Sequence, residues 1–303
     1  MHAVRIDEFA PSTEPVPAPA PPAAPRKMTI AAPAAATTSP ATPRGRTLAS
    51  PLQPLVPVAL GIVLFIALWH AATLYASGLP GPLATWQEAL KIFAHPFYQN
   101  GPNDQGIGWN ILSSLRRVAI GFGLAAAVGI PAGFMIGRFE FLAGMMNPLI
   151  GLLRPVSPLA WLPIGLLVFK RADPAATWTI FICSIWPMIL NTAQGVKRIP
   201  QDYMNVARVL DLSEWKIFTK ILFPAVLPYM LTGIRLSIGT AWLVIVAAEM
   251  LTGGVGIGFW IWDEWNNLKV EHIIIAIFVI GIVGLILEQA LIVIARRCTH
   301  DNA

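Results

Sequence analysis

Ile199–Pro228, IPQDYMNVARVLDLSEWKIFTKILFPAVLP, is the longest polar, charge-bearing passage between two strongly apolar runs. Basic Arg208, Lys216 and Lys220 alternate there with acidic Asp202, Asp211 and Glu214. Tyr203, Val206, Ala207 and Leu210 fall at i, i+3, i+4 and i+7, which puts them on one face of a short helix. Trp215, Phe218 and Leu222 line a second face, and Pro224 and Pro228 are expected to close the segment. The pattern predicts two short amphipathic helices set at an angle and exposed between membrane spans, a docking surface. A hairpin that only connects two spans fits the same spacing.

The joint between the helices is predicted residue by residue. Asp211 stands where the first helix ends and a left-handed residue is wanted. Glycine is the usual choice there, and Asn or Asp substitutes because a short polar side chain can hydrogen-bond locally. Ser213 is then a natural N-cap for a helix starting at Glu214, whose charge suits the positive N-terminal end.

Composition sets the class. Of the 303 residues, 55% are hydrophobic and 12% charged, whereas a soluble domain carries about 25% charged residues. The chain is therefore a polytopic membrane protein. Its net charge of +5 points to anionic lipid or topology control, not to nucleic acid. Cys183 and Cys298 form no CxxC or Cys/His group, so neither a disulfide framework nor a metal site is expected.

Residues 1–50 are rich in Pro, Ala, Ser and Thr and read as a disordered cytoplasmic tail that cannot bury enough apolar surface to offset its ordering entropy. They lack the apolar core of a cleaved signal peptide. Residues 51–108 hold the first span, Leu55 to Tyr75, and a polar outer connection with an amphipathic piece around Trp86 to Phe93. A helix needs ~20 apolar residues to cross the hydrocarbon. Ile111 to Ile136 is the second span, with Gly121, Gly123, Gly129, Gly133 and a kinking Pro131. Phe139 to Leu153 reads as an interfacial elbow, and Pro158 to Phe169 as a short third span that borrows from the elbow or is shielded by protein. Thr177 to Val196, Tyr229 to Leu251 and Ile273 to Ala295 complete six spans, ahead of a tail over 298–303.

Placing both termini in the cytoplasm puts Arg26, Lys27, Arg44, Arg46, Arg138, Arg154, Lys197, Arg198, Arg208, Lys216, Lys220, Arg296 and Arg297 inside. Lys91, Lys170, Arg171 and Lys269, with Arg116 and Arg117, are left outside. That bias orients the docking segment inward.

Asn205-Val206-Ala207, three residues, Asp211, nine residues, then Ile221-Leu222-Phe223-Pro224 resembles the EAA loop of bacterial ABC importer permeases. The family pattern is Glu-Ala-Ala, three residues, Gly, nine residues, Ile-x-Leu-Pro, and this chain departs from it at Asn205, Val206, Asp211 and Phe223. The resemblance runs from Trp109 to Arg297. It is closest to the nitrate, taurine, alkanesulfonate and bicarbonate subgroup, and nearest the nitrate type, with the strongest stretch from Ala248 to Asn267.

The resemblance implies an all-α, six-helix permease of the type-I importer (MetI-like) fold in the inner membrane, with the transmembrane domain over 109–297 and the coupling loop over 199–228. It implies a homodimer, ABC ATPase subunits that bind ATP and Mg in place of this chain, and an external substrate-binding protein. The ATPase-coupling residues would be Asn205, Val206, Ala207, Leu210, Asp211, Ser213, Trp215 and Pro224.

No GxxxxGK[ST], HExxH or nucleophile–base pair is present, so no enzymatic activity or cofactor is expected in this chain. Gly253–Gly258 (GGVGIG) superficially resembles a phosphate loop, but it follows a span, lacks the lysine and opens no amphipathic helix; a flexible outer turn is expected. The scattered histidines His70, His95, His272 and His300 read as interfacial.

Charges within spans are costly and mark candidate sites. Arg235 and Glu288 are expected at matching depth, as a pair or as independent snorkelling groups. Glu249 is placed to meet Arg116 or Arg117, which could also attract an entering anion. The expected activity is ATP-driven import of a small anion, nitrate or nitrite first, with taurine, alkanesulfonate, cyanate or bicarbonate as rivals. An ion-coupled secondary carrier is the alternative class, although no inverted repeat is visible.

Overall fold

A computed structural model describes residues 55–76 and 78–300. The expected tail over 1–50, with Arg26, Lys27, Arg44 and Arg46, lies outside the described residues, as do residues 301–303.

The described chain is helical: α1 (Leu55–Tyr75), α2 (Pro82–Ala94), α3 (Ile107–Arg138), α4 (Glu140–Leu153), α5 (Pro158–Phe169), α6 (Ala172–Lys197), α7 (Gln201–Val209), α8 (Glu214–Ile217), α9 (Phe223–Thr252), α10 (Ile257–Asn266) and α11 (Val270–His300). Among the described residues the only β pairing is an isolated antiparallel bridge, Gln99–Gln105. Five helical runs are long and apolar enough to cross a membrane. A sixth crossing arises if α4 and α5, bent by 100° at their junction, count as one broken span. At 1.5 Å per residue neither leg alone reaches across ~30 Å of hydrocarbon, so the twelve-residue α5 is too short to span by itself, and the bent pair has the geometry of a broken span or a re-entrant loop.

The core is a three-helix layer in which α6 is packed between α3 and α9. In lipid, packing rather than hydrophobicity drives helix association, so close backbone approach matters most. Gly121, Ala125, Gly129, Gly133 and Gly137 recur every four residues along the buried face of α3. A Cβ on Gly133 would lie 2.6 Å from Thr192 Cβ and 2.9 Å from Ile189 O, and one on Gly137 would lie 2.6 Å from Val196 Cβ. Gly123, expected to share this role, meets nothing within 4 Å. Gly137 takes its place in the register. On the other side of α6, a Cβ on Gly195 would press on Tyr229 Cβ at 2.8 Å, and one on Gly233 on Pro187 O at 2.9 Å.

Pro224 and Pro228 do not close the docking segment. Glu214–Thr252 is one continuous helical run, with a π-turn over Phe218–Leu222 in which Phe223 N–H reaches back to Phe218 O. Pro224 has no N–H to give the carbonyl four residues earlier, and its ring crowds that carbonyl. A locally widened turn accommodates both problems without ending the helix.

Peripheral α1 is exposed along its length and meets the bundle through aromatic contacts, with Phe65 and Trp69 against Phe278 of α11. The indole N–H of Trp69 also donates to Pro80 O at 3.1 Å.

Gly133→Leu is expected to lower stability by ~1–3 kcal/mol through overpacking against α6, read as a lower melting temperature in detergent, whereas Gly123→Ala leaves it unchanged. Equal effects of the two would remove the assigned register.

Candidate functional site

One candidate site is built on α7 and α8. Asp211 adopts φ 50°, in the left-handed region, and Leu212 N–H reaches back to Ala207 O at 3.0 Å. Ser213 caps α8, its hydroxyl oxygen accepting from Lys216 N–H at 3.4 Å. The sequence therefore fixes this joint locally.

The two faces of α7 have different fates. Ala207 is fully buried and packs with Met204, Ile217, Leu222 and Val226. It anchors the helix to the bundle instead of presenting a surface. Val206, Leu210 and Trp215 are large apolar side chains left exposed, Leu210 by 63%. Asn205 is also exposed and accepts a long hydrogen bond from Arg208 at 3.4 Å.

At the opposite end of the bundle the expected flexible turn is pinned, which corrects the reading of Gly253–Gly258. Gly256 N–H donates to Asn110 Oδ1 at 2.9 Å, Ile257 N–H to Ser114 Oγ at 3.0 Å, and Gly258 N–H to Glu249 Oε2 at 3.0 Å. The run does open a helix, α10, and these three N–H groups are among those a helix start leaves unpaired.

Glu249 is buried, 1% exposed. It takes the Ser114 hydroxyl at 2.7–2.8 Å and Arg117 Nη1 at 2.6 Å. Arg117 also donates to Val255 O at 2.8 Å and, through Nε, to Asp173 Oδ1 at 2.8 Å. A Cβ on Gly256 would lie 2.3 Å from Glu249 Cδ, and one on Gly258 would lie 2.1 Å from Val246 O. These glycines serve close approach to a carboxylate and a carbonyl.

Of the two candidate arginines, Arg117 meets Glu249. Arg116 is exposed and, among the described residues, makes no ion pair. Asn110, Ser114 and Asp173 were not anticipated. Asn110, Ser114 and Arg117 fall at i, i+4 and i+7 on α3, a polar stripe in an apolar span that could have been read beside Glu249.

Arg235 and Glu288 meet at 2.5 Å (Nη2–Oε1) and 3.0 Å (Nε–Oε1). They line a cavity of about 880 Å³ between α9 and α11.

A second cluster at that end joins α2, α10 and α11. His272 lies between two carboxylates, with Nδ1 3.0 Å from Glu264 Oε2 and Nε2 3.3 Å from Glu88 Oε1, and its ring stacks on Trp260. Burial opposes ionisation of Glu264, but His272 at 3.0 Å, then Lys269, outweigh it and hold the carboxyl below its usual range. Lys91 first and His272 second do the same for Glu88. Among the described residues no group of His, Cys, Asp and Glu is arranged to hold a metal ion.

Residues 129–299 match the family model described as "Binding-protein-dependent transport system inner membrane component". The nitrate import permease protein NrtB of Synechocystis sp. is 46% identical over 238 residues, covering 78% of this chain and 86% of that protein. NrtB of Leptolyngbya laminosa is 45% identical over 247 residues, 82% of this chain and 88% of that protein. The bicarbonate transport system permease protein CmpB of Synechococcus elongatus is 46% identical over 239 residues, 78% of this chain and 86% of that protein.

Removing one partner of a buried pair leaves an uncompensated charge, so Glu249→Ala is expected to cost ~3–5 kcal/mol. Glu249→Gln, which keeps acceptors for Ser114 and Gly258, should cost less; denaturation in detergent checks the order. The depressed Glu264 carboxyl contributes stability that is present above the ordinary glutamate range and lost as pH falls through and below it. Melting curves taken from about pH 7 down to about pH 2 should therefore draw together for wild type and Glu264→Gln once the pH has fallen below the ordinary glutamate range. Parallel curves would mean that this carboxylate adds nothing.

Proposed function

The chain belongs to the family of binding-protein-dependent transport system inner membrane components, and on that premise we propose that it carries a small oxyanion, nitrate first, into the cytoplasm. It is an all-α, multi-pass permease component of an ABC importer and not itself an enzyme. The observation that carries the substrate reading is the shared 46% identity to permeases for nitrate and for bicarbonate, both small planar oxyanions. Bicarbonate is accordingly the second reading.

In this reading two copies form the pathway, an external binding protein delivers the anion, and ATP and Mg are bound by separate ATPase subunits. A groove on each ATPase receives the α7–α8 pair through Val206, Leu210 and Trp215, which stand exposed beside a buried Ala207. Asp211 and Ser213 set the angle, and Pro224 sits just beyond the widened turn that carries the motion into α9. Basic Arg208, Lys216 and Lys220 support an inward-facing segment and cytoplasmic termini.

An anion entering against an inside-negative potential climbs ~2.3 kcal/mol per 100 mV, so an external energy source is needed. ATPase closure supplies it by shifting the population between inward- and outward-facing arrangements. Arg235 and Glu288, and Arg117 with Glu249, are then groups whose pairing can change between states, with exposed Arg116 next to Arg117 to attract the anion.

The test is reconstitution with the cognate ATPase and binding protein. Nitrate should stimulate ATP hydrolysis more than bicarbonate, taurine or cyanate. Leu210→Glu should abolish that stimulation and ATPase co-purification without lowering the melting temperature. An intact complex with Leu210→Glu would remove α7 as the receiving surface, and a stronger response to bicarbonate would reverse the substrate order.

A further inference from the structure

Beside the docking helices, a cleft of about 440 Å³ opens between the end of α6, the start of α7 and the π-turn leading into α9. Two cations line it, Arg198 at the C-terminus of α6 and Lys220 in the π-turn, and no carboxylate does. Arg198 stacks over the Tyr229 ring at 5.3 Å. Among the described residues neither Arg198 nor Lys220 forms an ion pair, and both are exposed. Two further features favour negative charge. The hydroxyl-bearing ring of Tyr203 also lines it, and α7 starts there behind an N-cap, Pro200, that supplies no side-chain cap, its positive end offset only by Asp202 in the first turn.

The walls have a different character from the rim. Ile199, Ile221 and Ala225 form an apolar floor, and Gly195 keeps α6 tight against Tyr229 just beneath it. Its level is also defined: Gly195 belongs to the last turn of one long apolar helix and Ala225 to the first turn of another, so the cleft lies at a membrane–water boundary. A basic rim over an apolar floor at that depth matches an amphiphilic anion.

We propose that this cleft is a binding site for the phosphodiester headgroup of an anionic phospholipid. The phosphate sits between Arg198 and Lys220, the glycerol and first methylenes lie on Ile199, Ile221 and Ala225, and the lipid braces the joint at which the docking helices meet the spans. A soluble oxyanion shares the phosphate chemistry but has no use for the floor. That the leaflet is the inner one rests on the orientation proposed above. Binding measured in detergent is indifferent to orientation, so failure of the site and failure of the orientation are told apart.

The experiment is native mass spectrometry of the full-length chain in detergent, titrated with phosphatidylglycerol or phosphatidylcholine of the same acyl chains. The double variant Arg198→Gln/Lys220→Gln is compared with Lys197→Gln/Lys216→Gln, which removes the same charge from outside the cleft lining. Phosphatidylglycerol is expected to bind in preference to phosphatidylcholine. The cleft variant should bind it about tenfold more weakly or worse, while the control stays near wild type and both keep the wild-type melting temperature.

Equal retention of the two lipids, or equal losses in the two variants, would overturn the site. So would displacement by millimolar inorganic phosphate without any preference between lipids, which would assign the cleft to a soluble oxyanion. Loss of ATPase co-purification in the cleft variant with lipid binding intact would overturn it in favour of a protein contact.

Discussion

The backbone-to-backbone approach of α3 and α6 is the constraint on which the rest of the bundle depends. Apolar side chains gain little by turning from lipid to one another, so a membrane fold must rely on contact distance. Small residues every fourth position on α3 let α6 lie against it, and Gly195 and Gly233 let α9 lie against α6 on the other side. With α6 held between two neighbours, its Thr179, Ser184 and Thr192 become fully buried. Thr179 bonds to the carbonyl one turn back, and Ser184 O accepts the Ser237 hydroxyl of α9 at 2.7 Å. The close packing brings the Ser237 hydroxyl to Ser184 O, and that bond ties α9 to α6.

The end of the bundle at Glu249 shows the complementary strategy. A carboxylate at 1% exposure is tolerable because every group around it is a donor: a hydroxyl, a guanidinium and a backbone N–H. Glu249 in turn gives the glycine-rich connection a fixed shape, since the turn's own N–H groups are used up by Glu249, Ser114 and Asn110. A buried charge with this many partners is a device for specificity more than for net stability. It selects one path for the chain between α9 and α10.

Features set by local chemistry were legible in the sequence. α1 starts and ends as expected, Asp211 takes the left-handed conformation, and Ser213 caps α8. Charges that had to find company inside a span also announced themselves, as with Arg235 and Glu288. What hid were long-range partnerships without a local signal. Nothing near Gly256 tells that Asn110, far back in the chain, takes its N–H, so the turn read as loose. His272 looked solitary because Glu88 and Glu264 reach it from other helices. Pro224 misled for the opposite reason, a strong local signal absorbed by one irregular turn.

That irregular turn has a mechanical consequence. Because the helix is widened and not broken at Phe218–Leu222, Trp215 and Glu249 belong to the same run of 39 residues, a shaft ~58 Å long at 1.5 Å per residue. No loop divides the exposed Trp215 from the buried Glu249 carboxylate, so the two are joined through helix alone. The exposed indole and the buried carboxylate are thereby two ends of one axle.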